Sequence, residues 1–132
     1  MKTGLWVVGI CVAVSGCASR NRAPDTQAAV PPASVAPYAG PVCMLKAPLP
    51  VGVQHASLGR IQSGKQWYGG TDEVVGMLAD AARANGADAV VNLRASHKFG
   101  MLAWARPVAA GDAVRLASAG ELDCKAAGGE VR

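Results

Sequence analysis

The stretch Gly86-Ala87-Asp88-Ala89-Val90-Val91-Asn92-Leu93-Arg94 decides how this chain folds. Over residues 87–95 the side chains separate into two sets: Ala89, Val91, Leu93 and Ala95 on one side, Val90, Asn92 and Arg94 on the other. A period of two is that of a strand, with the first set facing a core.

Upstream, residues 70–86 carry the marks of a helix. Thr71 is the expected N-cap, Asp72 and Glu73 complement the positive end of the helix dipole, and Gly86 stands where a left-handed terminal residue belongs. Val74, Leu78, Ala81 and Ala82, with Met77 beside them, form an apolar stripe at helical spacing. Its alanines predict close packing on a sheet.

Downstream, Ser96-His97-Lys98-Phe99-Gly100 reads as a turn and residues 101–106 as the partner strand, with Leu93 facing Trp104 and Ala95 facing Leu102. Pro107 ends ladder donation, Gly111-Asp112 makes a second turn, and Ala113-Val114-Arg115-Leu116 forms a short third strand. Before the helix, residues 42–46 and 51–61 are weaker strand candidates, interrupted by Pro48 and Pro50. The sum is a single small α+β domain over residues 42–132, of β-β-α-β-β-β order, with one main helix on a mostly antiparallel sheet of about four to five strands.

The run from Gly86 to Arg94, after an alanine-rich helix and before a hairpin, resembles the signature of small YbjQ-type domains and of the outer-membrane sensor lipoprotein of the Rcs phosphorelay. The resemblance covers residues 71–116. It implies the same α+β fold, ring-like homo-oligomers on the YbjQ side and an envelope-sensing role on the other. The chain departs from the sensor in cysteine content: that domain has two disulfides, whereas this one offers Cys43 and Cys124 alone. The heavy-metal-binding designation of YbjQ-type domains implies a ligand cluster that these residues do not supply.

The N-terminus reads as a leader. Lys2 precedes an apolar run over residues 5–14. As a helix that run reaches about 15 Å against roughly 30 Å of hydrocarbon, too short to span a bilayer. Val14-Ser15-Gly16-Cys17 then resembles the bacterial lipobox, which implies a signal peptide over residues 1–16, cleavage before Cys17, a thioether lipid on its sulfur and an acyl chain on the new N-terminus. The plainer alternative is a secretory signal cut at an Ala-x-Ala-like site around Ala13 and Gly16. Two or three acyl chains anchor stably where one binds marginally. Ala18 follows the cysteine, whereas the family's inner-membrane retention signal is usually Asp, so the resemblance implies the outer membrane.

Residues 17–41 carry Pro24, Pro31, Pro32, Pro37 and Pro41 among small and polar residues. Such a stretch buries too little surface to offset its ordering entropy and is expected to be a disordered linker. Fully extended in polyproline form it reaches roughly 70 Å, and as a coil nearer 30 Å.

Cys11 leaves with the leader and Cys17 takes lipid, leaving Cys43 and Cys124 flanking the domain. They are a candidate disulfide, worth roughly 4 kcal/mol for so long a loop; two separate thiols and metal ligation are the alternatives. His55 and His97 are not spaced as a metal pair, and the six Asp and three Glu residues fall mostly in caps, turns and the tail. Gly69-Gly70-Thr71 at a helix start is no phosphate cradle, because Asp72 and Glu73 would repel an anion there. No catalytic, metal or cofactor site is expected. Trp67-Tyr68 is the candidate contact surface, with capping of the core as its alternative.

Net charge is +4, falling to +3 when Lys2 is removed (4 − 1). Arg94, Lys98 and Arg115 give a mildly basic face suited to lipid headgroups, lipopolysaccharide or peptidoglycan; an export signal argues against nucleic acid. The expected function is a membrane-anchored envelope lipoprotein with a non-enzymatic recognition or sensing domain facing the periplasm or cell surface. Its partner would be an envelope protein or peptidoglycan. The alternative is a periplasmic domain that binds a metal or small ligand.

Overall fold

The computed structural model describes residues 35–132; the readings of the leader, of Cys17 and of residues 17–34 of the linker lie outside them. Five strands and one helix follow in the order β1 (Cys43–Met44), β2 (His55–Gly64), α1 (Thr71–Ala84), β3 (Ala89–Lys98), β4 (Arg106–Leu116) and β5 (Glu130–Val131). They form one open sheet, ordered β2-β4-β3-β1-β5, in which β1 and β3 run parallel and every other pair is antiparallel. The domain is α+β, with α1 laid across one face.

Helix α1 ends as its sequence requires. Gly86 adopts φ +79°, and the N–H groups of Gly86 and Ala87 donate to the carbonyls of Arg83 and Ala82 at 2.9 Å each, which is a Schellman closure. The start differs from expectation: Gly70 is the N-cap and Thr71 the first helical residue, with no side-chain cap. Asp72 and Glu73 instead hold the first turn by pairing with Arg132 and Lys65. The hydrogen bond and charge of Arg132 hold the Asp72 carboxyl below its ordinary value of 3.8. A lowered folded value means the pairing contributes above pH 3.8 and is lost as pH falls through that lowered value. The buried stripe is Val74, Val75, Leu78, Ala79 and Ala82, rotated slightly from the expected one, so that Ala81 is half-buried.

The sheet is buried on both faces along β1 and the first half of β3. Toward α1 point Val42, Met44, Ile61, Val90 and Ala113; away from it, Cys43, Leu45, Ala89, Val91 and Val114 pack under Cys124 and Leu122. Both Val90 and Val91 are thus core residues, and one-sided burial over residues 87–95 does not hold.

The alternation also breaks at Asn92. It sits at φ +53°, and the β3–β4 register shifts between Val91↔Asp112 and Arg94↔Ala110. This bulge turns Leu93 onto the same face as Val90, against the helix-side core. The N–H groups of Asn92 and Leu93 donate to the carbonyls of Ala47 and Leu45, and Asn92 Nδ2 donates to Asp112 Oδ2 at 2.9 Å. Asparagine tolerates the left-handed region that a β-branched residue does not. Asn92→Val is therefore expected to cost about 2 kcal/mol, and Asn92→Gly well under half of that, in denaturant unfolding. Equal costs would place the constraint in the side-chain hydrogen bond rather than in the backbone.

The hairpin after β3 differs most from expectation. β3 continues to Lys98, which pairs with Arg106, and Ala95 faces Ala109 rather than Leu102. Residues 101–106 do not form a strand: 99–105 is a loop closed by Gly100 N–H to the Ala103 carbonyl at 2.9 Å. Pro107 lies inside β4 as its second residue, opposite His97, where the missing N–H falls at the end of the ladder. Gly111 and Asp112 make no turn. They lie in mid-strand opposite Ile61 and Arg60, so the separate third strand is the end of β4, and β5 takes its place in the element order.

Residues 35–41 lie along the C-terminal end of α1. Val35 and Tyr38 pack against the helix-side core, and Tyr38 N–H donates to the Arg83 carbonyl at 2.9 Å. Compositionally this segment belongs with the proline-rich stretch; structurally it is part of the domain's packing.

Candidate functional site

On the face away from α1, cover is partial. Between β4 and β5 the chain packs Leu122, Cys124 and Ala127 over Cys43, Ala89, Val91 and Val114, tied down by the Cys43–Cys124 disulfide with its Cα atoms 5.7 Å apart. Beyond that cover the sheet lies open. Because every second residue of a strand meets this face, its lining follows from the register: Arg60 and Gln62 from β2, Arg94, Ser96 and Lys98 from β3, Arg106 and Val108 from β4. The result is a shallow concavity of about 420 Å³ walled by four cations.

Asp112 accepts from Arg60 Nη1 at 3.2 Å through one oxygen and from Asn92 through the other, which fixes it at the border of the face. Among the described residues, neither Arg94 nor Lys98 forms an ion pair. Arg115 stands apart: it lies over the Tyr38 ring at 4.8 Å, donates to the Gly86 carbonyl and pairs with Asp88. Two of the three cations singled out from sequence therefore share the face. Arg60 and Arg106 complete it; the signal for Arg60 is its alternation with Gln62 across Ile61, hidden because the strand candidate 51–61 stops at Ile61 whereas β2 runs on to Gly64.

A second concavity, of about 370 Å³, lies between Tyr38, Asp88, Arg115 and the disulfide. Its polar groups are engaged with one another, Asp88 accepting from the Leu116 N–H at 2.8 Å and pairing with Arg115.

Trp67 and Tyr68 are 59% and 56% exposed in the β2–α1 loop. His55 and His97 are both exposed, with ring nitrogens 3.1 Å from the Val53 carbonyl and 3.2 Å from the Gly69 carbonyl. Among the described residues, no three His, Cys, Asp or Glu side chains are grouped so as to hold a metal ion. No helix of the described residues is long and apolar enough to cross a membrane.

The cationic face presents fixed charges and hydrogen-bond donors over an open sheet, an arrangement that suits an extended anionic surface or polymer. No protein-family model, curated protein or solved structure matches the chain.

Proposed function

We propose that this chain is a membrane-anchored envelope lipoprotein whose domain recognises an anionic envelope component without catalysing a reaction on it. The anchor is the lipidated Cys17 that the Val14-Ser15-Gly16-Cys17 pattern implies, and the outer membrane is its location. The observation that carries the recognition role is the open half of the sheet, where Arg60, Arg94 and Lys98 stand together and Asp112 is the carboxylate that pairs with one of them among the described residues. The disulfide suits the oxidising compartment that the leader implies.

Both parts are testable in a bacterial host. Labelled palmitate is expected in the wild-type chain and its membrane fraction, and Cys17→Ser is expected to lose label and membrane association together. Unlabelled, soluble wild-type protein would overturn the anchor. For recognition, crosslinking in intact envelopes should capture an anionic glycan, lipid or acidic protein surface with the wild type. Arg94→Glu/Lys98→Glu should lose that capture while keeping its lipid; capture indifferent to the charge reversal would remove the face from the function.

A further inference from the structure

The end of the sheet bordering the cationic face carries an apolar crest. β2 ends at Gly64, β3 ends at Lys98 and β4 starts at Arg106, all at the same edge of the ladder. The β2–α1 and β3–β4 loops therefore emerge side by side. The first of them is tied to the strand ends that carry the second, His97 of β3 bonding the Gly69 carbonyl and Lys65 N–H donating to the Pro107 carbonyl of β4 at 3.1 Å.

These loops display Trp67, Tyr68, Phe99, Met101, Leu102 and Trp104, with Trp104 at 72% and Phe99 at 86% exposure. Among the described residues, the other exposed large apolar side chains are Val51 and Val131 alone, so the clustering is not a general feature of the surface. The second loop is held in shape: Ala103 is buried, and its carbonyl accepts from Gly100. Burial of Ala103 fixes the loop with its bulky residues facing outward.

We infer that this crest inserts into the interfacial layer of an anionic lipid bilayer while the adjoining cations hold its headgroups. The inference rests on reading the cationic face as a recognition surface, and it names the ligand as lipid. Three observations favour lipid over a protein partner. Tryptophan and tyrosine have an apolar body and a polar edge, which suits the headgroup level. Cations border the crest directly: Lys98 and Arg106 pair at the strand ends, and Arg106 packs beside Gly100. Counting Arg60, Arg94 and Lys98 against Asp112 leaves two positive charges in excess among the described residues, complementary to anionic headgroups.

The anchor permits this orientation. The chain enters the domain at Val35, beside Gly86 at the C-terminal end of α1, whereas the crest adjoins its N-terminal end. The two ends are about 20 Å apart along the 14-residue helix. The 18 residues from Cys17 to Ser34 can span at most about 60 Å. The domain can therefore turn its crest to the membrane that holds Cys17.

The test uses the full chain carrying Cys17→Ser, so that lipidation plays no part, and Trp6→Phe, so that emission reports Trp67 and Trp104. Phosphatidylcholine vesicles containing phosphatidylglycerol are expected to shift emission to the blue and expose both tryptophans to headgroup-level spin-label quenchers. Arg94→Gln/Lys98→Gln should raise the lipid needed for half the shift by roughly 30-fold. Unchanged emission with anionic vesicles would overturn the inference, as would an equal response to pure phosphatidylcholine. Protection of both tryptophans by a crosslinked envelope protein, with no response to vesicles, would assign the crest to a protein partner and also overturn it. None of these outcomes alters the palmitate result, so the two proposals fail separately.

Discussion

Reduction of the Cys43–Cys124 bridge is expected to lower the melting temperature by about 20 °C. The bridge joins residues 81 apart in sequence, and on the chain-entropy account a loop of that size restricts the unfolded chain by roughly 4 kcal/mol. For a domain of this size each 1 kcal/mol moves the midpoint by about 4–8 °C. The loss should also be uneven. β1 and β5 are two residues each, and the segment between β4 and β5 covers the sheet through a small cluster in which both cysteines take part. The helix-side core, from Val42 to Ala113, contains neither sulfur. Hydrogen exchange in Cys43→Ala/Cys124→Ala should therefore rise first in residues 117–132 and in β1, with Val74, Leu78 and Val90 still protected. Uniform loss of protection would show that the two faces unfold as one unit. A melting temperature indifferent to reductant would show that the bridge does not form.

How far the sequence discloses this fold depends on which signals were local. The helix was legible because its evidence sits within its own residues: Asp72 and Glu73 at one end, Gly86 at the other, and an apolar stripe between. The first half of β3 was legible as a strand for the same reason. Its facing was not, because burial of both Val90 and Val91 depends on the segment around Leu122, Cys124 and Ala127 folding over the outer face, a contact the local pattern does not contain. The 101–106 segment looked like a strand because it is apolar, yet Met101, Leu102 and Trp104 face outward and the pairing falls instead to the small residues of β4. Apolar character marks a strand only where a core receives it. The cationic face was half visible, since Arg94 and Lys98 follow one another at strand spacing, whereas Arg60 and Arg106 join them only through a register shared by three strands.

Gly111 shows how one residue type supports two opposite readings, and its substitution is expected to carry the second large effect. A glycine beside aspartate suggests a turn, in which case the demand is on backbone conformation. Gly111 instead lies in mid-strand without a positive φ, and its demand is for space. A methyl group there would lie 2.5 Å from Val90 Cγ1 and 3.1 Å from the Val91 carbonyl oxygen. Val90 is fully buried, and the Val91 carbonyl belongs to backbone held beside the Asn92 bulge, so neither yields freely. Gly111→Ala is expected to cost about 2 kcal/mol and Gly111→Val about 3 kcal/mol or more, as overpacking of a closed core does. Trimming the obstructing neighbour separates crowding from backbone demand. Val90→Ala alone should cost about 2 kcal/mol through lost burial. Combined with Gly111→Ala it should cost distinctly less than the sum, because the new methyl occupies the space the valine vacates. Additive costs in urea unfolding would mean that Gly111 is required for its backbone and not for its neighbour.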